Sequence, residues 1–482
     1  MKQGDSQAGL RAECLNFTEV TAMAIALISP TMTAALIVPL MYGTAGSASW
    51  LAYLFGTVML LFVAMNLNQF ARRSSSAGSM YAYTVMGLGT TAGNVSGWCL
   101  AWAYLFIGTA GVTGFTIFAN TLLGMVGLGL PEPLLFLICV GSCWMLAYRD
   151  IQLSSVLMLI LEGLSIFFIL MLAVIVLFHA KAVFDPAQLT LQGASFSGLS
   201  LGVVVAIFSL VGFECATAFG EEAKEPLRTI PRAVIGSLLL TGAFFVFITY
   251  TEVVGFNGAK LTLDKADAPL NYLADLMSVG WLKAPISAGA MISFYSLALS
   301  CLNSGARILY AMGRVGVLHP ALGRSHETHE TPHVAVSVMG LLILLNPLVL
   351  TKVFGLAVLD AFNDAGTFGA FGFLGAYFLI SIAAPAYLRQ WGALRMKEIG
   401  LAAASVVLLM VPAVGSVYPV PSWPVNIFPY IFLGYLAIGL TWFMILRRRP
   451  AFVASVTERV RAEHRGVREV GAGRARRTVS AA

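Results

Sequence analysis

Charge is scarce in this sequence. Only 11% of its 482 residues are Asp, Glu, Lys or Arg, where a globular domain carries about 25%. With 58% hydrophobic residues, the chain has too little polar surface to coat a soluble core. Cysteine and histidine are scarce as well. Cys14, Cys99, Cys139, Cys143, Cys215 and Cys301 show no paired metal-ligand spacing. All but Cys14 lie in apolar runs, where cysteine reads as a small packing residue. The six histidines fall outside those runs or at their edges, and the His326, His329 and His333 cluster matches no metal motif. Without a His or Cys constellation beside a nucleophile, an enzyme is not expected, nor is a cofactor or a resident metal. The net charge of +6 comes largely from the C-terminal tail. Beside long apolar runs, such an excess reads as retention on the cytoplasmic side, not as nucleic-acid binding. The first apolar run is too long for a cleavable signal, contains Pro30 and lacks a cleavage site.

What is abundant is apolar length. A bilayer-spanning helix needs about 20 mostly apolar residues. The sequence predicts twelve, at 22–42, 50–70, 93–124, 132–148, 153–178, 199–220, 230–254, 285–312, 334–351, 356–387, 397–415 and 426–446. The fold class is therefore an all-α membrane protein with the lipid bilayer as its solvent. The 47 glycines fall mostly within these runs, where small residues let membrane helices approach closely. Every loop arginine falls on one side: Arg72, Arg73, Arg149, Arg228, Arg232, Arg314, Arg324, Arg389 and Arg395. Lys181, Lys260, Lys265, Lys283 and Lys352 fall on the other. The arginine side and both termini are expected in the cytoplasm, which in a bacterial cell makes this an inner-membrane, multi-pass protein. The expected division is a cytoplasmic N-terminal segment (1–21), a ten-helix core (22–388), helices 11 and 12 (389–446) and a basic cytoplasmic tail (447–482). Within that tail, 451–463 reads as a short surface helix and the rest as disordered.

Two spans are interrupted. Span 1 reads Ser29-Pro30-Thr31-Met32-Thr33. Proline there removes a helix hydrogen bond and clashes with the preceding turn. Span 6 reads Phe208-Ser209-Leu210-Val211-Gly212-Phe213-Glu214, with a glycine and an acid in mid-span. Broken helices persist at membrane depth only against protein or a water-filled cavity. Interruptions in the first helix of spans 1–5 and the first helix of spans 6–10 are matched, the pattern that marks the binding site of inverted-repeat transporters.

Three stretches carry a family resemblance. The first is Ser76-Ala77-Gly78-Ser79-Met80-Tyr81 with Gly87-Leu88-Gly89 and Gly97-Trp98 after it. The second is Gly212-Phe213-Glu214, then Glu221-Glu222-Ala223-Lys224-Glu225-Pro226 and Thr229-Ile230-Pro231-Arg232-Ala233. The third is Arg307-Ile308-Leu309-Tyr310-Ala311-Met312-Gly313-Arg314, with Thr331-Pro332 beyond it. Over residues 15–445 the sequence resembles the amino acid–polyamine–organocation (APC) superfamily of permeases. The resemblance implies a LeuT-like 5+5 inverted repeat with helices 1 and 6 broken, two peripheral helices, and substrate held between the breaks during alternating access. The sequence departs from the family in two places. Many members have a Gly-Ser-Gly-type break where this one has Ser-Pro-Thr-Met-Thr, and many have an aromatic at the position of Leu210.

A helix break exposes N–H groups at the start of one half-helix and carbonyls at the end of the other. By resemblance, Ser29, Pro30, Thr31, Met32 and Thr33 would receive a substrate carboxylate. The backbone of Phe208, Ser209, Leu210 and Val211 would help hold its amine, Gly212 lies in the same substrate-binding break, and the Phe208 ring would close over the bound substrate. Tyr104 and Tyr295 are further gate candidates. The hydroxyls of the two breaks either bind substrate or back-bond to their own helix. An acid at membrane depth is a functional candidate by default, and a carboxylate removed from water can take up and release a proton. Glu162 and Glu214 are the proton-coupling candidates, each with a structural bracing role as its alternative. Asp360 and Asp364, four residues apart, share a helix face. Ser296 and Ser300 share another and form a possible sodium site. Glu221, Glu222, Lys224, Arg232, Arg307 and Arg314 form either an inner-gate network or interfacial anchors.

The expected function is secondary active import of an amino acid by proton symport. The runner-up is a polyamine or other organic-amine carrier or exchanger. A membrane solute sensor is the alternative of another class, and the tail offers it no signalling domain. The topology predicts that cysteines introduced as Lys352→Cys and Arg228→Cys react with impermeant maleimide from opposite faces of the membrane. Reaction of both from one face would overturn it.

Overall fold

The computed structural model describes residues 13–74, 78–149, 151–179, 184–266, 268–418, 420 and 423–448. The expected surface helix at 451–463 and nearly all of the basic tail lie outside the described residues, as do Ser76 and Ala77. Every named element among the described residues is helical, and Leu15 and Ala223 meet in one isolated parallel bridge.

Helix α1 (Phe17–Ile28) starts five residues before the expected span. Its polar first turn escapes a hydropathy reading, but a capping box fixes it. The Asn16 side chain accepts the Glu19 N–H at 3.0 Å, and the Glu19 carboxylate accepts the Asn16 N–H at 2.7 Å. The helix ends at Ser29, which sits in the left-handed region at φ 50°. The chain resumes as α2 (Pro30–Met32), a π-helical stretch Thr33–Ile37 and α3 (Val38–Ala45). Pro30 opens the second half because the first helical position has no N–H partner to lose. Gly46 then turns the chain into α4 (Ser49–Ala71).

The next elements are α5 (Ser79–Leu88), the 36-residue α6 (Thr90–Met125), α7 (Glu132–Arg149), α8 (Ile151–His179) and a short α9 (Pro186–Leu189). Then α10 (Phe196–Leu210) stops at Val211, and the chain continues as a 3-10 stretch, Phe213–Phe219, with the interruption inside the expected span 199–220. The remainder is α11 (Pro226–Phe256), α12 (Pro269–Leu276), α13 (Lys283–Arg314), α14 (His333–Leu348), α15 (Val358–Gln390), α16 (Met396–Gly415) and α17 (Phe428–Arg447).

Eleven stretches of the described residues are long and apolar enough to cross a bilayer. Ten each overlap one expected span, although Glu162–His179 covers only the second part of the expected 153–178. The first, Phe17–Ala71, contains two, separated by the Gly46 turn. The outer helices display apolar side chains outward: Ile438 is 71% exposed and Val407 66%. That arrangement is stable only with hydrocarbon as the solvent.

Helix α6 is the central post, packed along α13 and α15. The two broken helices run antiparallel to each other. α1 lies along the 3-10 stretch Phe213–Phe219, and α3 lies along α10. This crossing brings the breaks together. Gly212, at φ 117°, presses on Leu27 and Ile28, and a Cβ there would sit 2.9 Å from Leu27 Cγ and 3.1 Å from the Ile28 nitrogen. Both the dihedral and the approach require glycine. Gly212→Ala is expected to destabilise the protein by about 1–3 kcal/mol, read as a lower thermal midpoint in detergent. An unchanged midpoint would show that the crossing relaxes around a side chain.

Candidate functional site

The first break is held by one carboxylate and a ring of hydroxyls. Glu162 of α8 is 3% exposed and reaches the start of the second half-helix. Ser293 Oγ of α13 donates to its Oε2 at 2.6 Å, and Thr31 Oγ1 lies 3.5 Å from its Oε1. The Thr31 backbone N–H also points at the carboxylate. Ser29 Oγ meets Ser293 Oγ at 2.9 Å, and Thr31 is hydrogen-bonded to Ser165 of α8. The half-helix N-terminus expected to take a substrate carboxylate thus faces a carboxylate of the chain itself. Such a terminus favours negative charge through its free N–H groups and its dipole. Met32 and Thr33 are buried beside it, and Thr33 Oγ1 has no hydrogen-bond partner among the described residues.

The second break has a matching acid. Glu214 Oε2 accepts the Gly212 N–H at 3.0 Å and the Tyr377 hydroxyl of α15 at 2.6 Å. Its Oε1 has no partner among the described residues, and neither does the buried hydroxyl of nearby Tyr104. Glu214 therefore ties the unwound segment to α15 and keeps one oxygen free. Just before the break, Ser209 Oγ meets the Tyr53 hydroxyl of α4 at 3.0 Å, and Leu210 and Val211 are buried. The Phe208 ring covers Gly366 of α15 closely enough that a Cβ there would lie 1.9 Å from its Cζ, and it packs beside Phe362.

The remaining candidates are placed as follows. Ser300 Oγ donates to the Met23 carbonyl of α1 at 3.1 Å. Ser296 is fully buried with its hydroxyl unpartnered among the described residues. Tyr295 is half-buried against Phe115 of α6 and Cys143 of α7, so the structure does not bring it to the breaks. Asp360 is exposed in the first turn of α15, and Asp364 is half-buried one turn on. Sequence reading did not single out Ser293, Tyr53, Tyr377 or Glu252. For Glu252 the signal was present, as an acid inside the expected span 230–254.

The end of the bundle carrying the arginine-rich connections is shut. Arg307 and Glu222, each 1% exposed, pair through two bonds of 2.6 and 2.7 Å. Arg307 also donates to the Asn303 carbonyl at 2.8 Å and lies 4.6 Å from the centre of the Phe219 ring. Leu15 straps across this pair: its N–H donates to the Glu222 carbonyl at 2.9 Å, and its carbonyl accepts the Lys224 N–H at 2.7 Å. Arg314 lies 3.5 Å from Glu221, whereas the Arg232 residue is exposed.

Residues 19–445 match the family described as amino acid permease. Among curated relatives, the branched-chain amino acid permease BcaP of Bacillus subtilis (strain 168) is 25% identical over 66% of this chain and 72% of its own length. BcaP of Lactococcus lactis subsp. cremoris (strain MG1363) is 28% identical over 70% and 75%. The low-affinity putrescine importer PlaP of Escherichia coli (strain K12) is 26% identical over 61% and 66%. The fold is shared with solved transporters. A manganese transporter of Eremococcus coleocola superposes at TM-score 0.56 with 11% identity, covering 92% of this chain and 95% of its own. A Na+-coupled sialic acid symporter gives 0.51 with 13% identity over 85% and 90%. The architecture is thus LeuT-like, with its two helix breaks at the crossing.

Cys215 lies behind the Arg307–Glu222 pair, its Sγ 3.0 Å from Ser304 Oγ. With the other cysteines replaced, Glu222→Gln is expected to speed labelling of Cys215 by a membrane-permeant maleimide at least tenfold. Labelling at the unsubstituted rate would show that the pair does not hold this end closed.

Proposed function

The chain belongs to the amino acid permease family, and from that membership we propose that it is a secondary active transporter importing an amino acid by proton symport and alternating access. The observation that carries this reading is the Glu162 carboxylate at the first break, held by Ser293 and Thr31. A group placed there exchanges partners when the break takes up substrate or when α1 and α13 separate. Its protonation is then linked to both events, which is what coupling requires. In this cycle a proton on Glu162 removes the charge that occupies the half-helix N-terminus, and the substrate carboxylate takes the Thr31-to-Thr33 amides. The amine meets the carbonyl end of α10 around Ser209 to Val211, and Phe208 closes over it. Ile28, Met32, Leu210 and Phe208 surround the crossing with apolar atoms. They favour an amino acid with an apolar side chain, in keeping with the two branched-chain amino acid permeases among the relatives.

In the proposed topology, Phe17–Ala71 makes two crossings, giving twelve, with both termini in the cytoplasm of a bacterial inner membrane. Residues 22–388 form the ten-helix transport core, and 389–446 form two peripheral helices. A second reading, a carrier or exchanger of polyamines or other organic amines, draws support from Glu162 and Glu214 at the crossing and from the putrescine importer among the relatives. Both acids then act as ligands for cationic amines.

Uptake into proteoliposomes separates the two. Neutral, acidic and basic amino acids and putrescine are offered with and without an inward proton gradient, in the absence of sodium. Symport predicts accumulation of an amino acid that collapses with the gradient. Glu162→Gln should then abolish accumulation while substrate exchange across the bilayer persists. Accumulation that survives in Glu162→Gln would remove this residue from coupling, and uptake confined to diamines would replace symport with the second reading.

A further inference from the structure

Among the described residues five glutamates are buried, and four have partners. Glu19 belongs to the α1 capping box, Glu162 and Glu214 hold the two breaks, and Glu222 pairs with Arg307. Glu252, one turn from the end of α11, is 1% exposed, and neither of its carboxyl oxygens has a hydrogen-bond partner among the described residues. Three residues earlier, on the same helix face, Thr249 Oγ1 is also buried and unpartnered. Thr33 Oγ1 is a third such atom, on the π-helical stretch that packs against α11.

Among the described residues, no cation pairs with this carboxyl group. Of the titratable groups on elements packed against α11, the Tyr53 hydroxyl of α4 is within electrostatic reach of it. The charged groups nearby are paired elsewhere: Asp264 lies 3.8 Å from Lys265, Asp275 pairs with Lys283 at 2.9 Å, and His179 of α8 bonds its own helix; the Tyr272 ring of α12 stacks on Phe256. Asp185, in the segment beside the end of α11, bonds Gln188 and Asn257 at 3.1 Å. An ionised carboxylate with no donor and no counter-ion in a dry interior bears its full desolvation cost. A proton removes the charge and, unlike any other cation, needs no cavity.

The position connects this group to the transport site. Phe245, seven residues earlier on the same face, meets the Tyr53 ring at 5.4 Å, and Tyr53 holds Ser209 at the second break. Glu252 lies about 10 Å further along the axis, toward the end of the bundle opposite Arg307. There the helix is covered by α12 and by the segment around Asp185, whose N–H donates to the Tyr250 hydroxyl at 2.9 Å.

We propose that Glu252 is a second proton-carrying carboxyl group of the transport cycle, neutral while this cover is closed and exchanging its proton with solvent on the α12 side when the cover opens. The O–H bond forms with a proton from solvent and breaks when water reaches the carboxylate. This inference rests on the proton-symport reading.

Two measurements on the full chain test it. Infrared difference spectra of the purified protein and Glu252→Gln at pH 7 should show loss of one protonated-carboxyl C=O stretch. If Glu252→Gln does not fold, Glu252→Asp should shift the same band. A spectrum with no such loss or shift overturns the proposal. In proteoliposomes, the proton-to-substrate ratio from reversal potentials should fall by one in Glu252→Gln. If the unsubstituted protein moves protons with substrate and the variant has the same ratio, this inference fails and symport stands. If the unsubstituted protein moves substrate with no protons, symport fails and Glu252 loses its role in the cycle with it.

Discussion

Backbone amides and carbonyls must find partners where water is absent, and everything at the centre of this protein follows from two places where a helix cannot supply them. At Ser29 and at Val211–Gly212 the helical ladder stops near mid-span. The chain meets the demand with side chains, from neighbouring helices at the first break and from within the broken helix, braced by a neighbour, at the second. Glu162 and the Ser293 hydroxyl come in from α8 and α13 to serve the first break. Glu214, braced by Tyr377 of α15, serves the second. Each break thus depends on helices that are themselves intact, and the substitute partners are groups that can also bind, release or reorient. A fully paired helix would be more stable and would have nothing to offer a polar solute.

Much of this was legible from the sequence, for identifiable reasons. Apolar length located the spans because hydrocarbon leaves few other solutions. Pro30 and Gly212 located the breaks because proline lacks the donor and glycine alone accepts φ 117° beside Leu27. Glu162 and Glu214 stood out because charge at membrane depth is rare. What a linear pattern does not give is azimuth and partner. Tyr295 and Ser293 are two residues apart on α13 and so point to opposite sides. The tyrosine faces α6 and α7 while the serine reaches Glu162. Tyr53 and Tyr377 could not be read from spacing, because their partners are more than 150 residues away. The beginning of α1 was misplaced because a capping box, not hydropathy, sets it.

The two ends of the bundle are closed by different chemistry. At one end a bidentate ion pair is buried under a strap of main chain, an arrangement that is strong when made and costly when half made. Toward the other, aromatic rings of Phe208, Phe362 and Phe294 pack on one another and on Gly366, with no charge among them. Ion pairs open abruptly, since their hydrogen bonds are lost together. Ring contacts slide. A protein latched in this way has one end that behaves as a switch and one that yields by degrees.

The length of α6 carries a further consequence. At 36 residues it is about 54 Å long, far more than the ~30 Å of a bilayer's hydrocarbon core. It can be accommodated only by leaning steeply or by protruding, and it is the post against which α13 and α15 are aligned. The thickness of the surrounding lipid therefore bears on the tilt of the central post and, through it, on the angle at which the two broken helices cross. Acyl-chain length becomes a physical variable of this protein, acting on it through bilayer thickness alone.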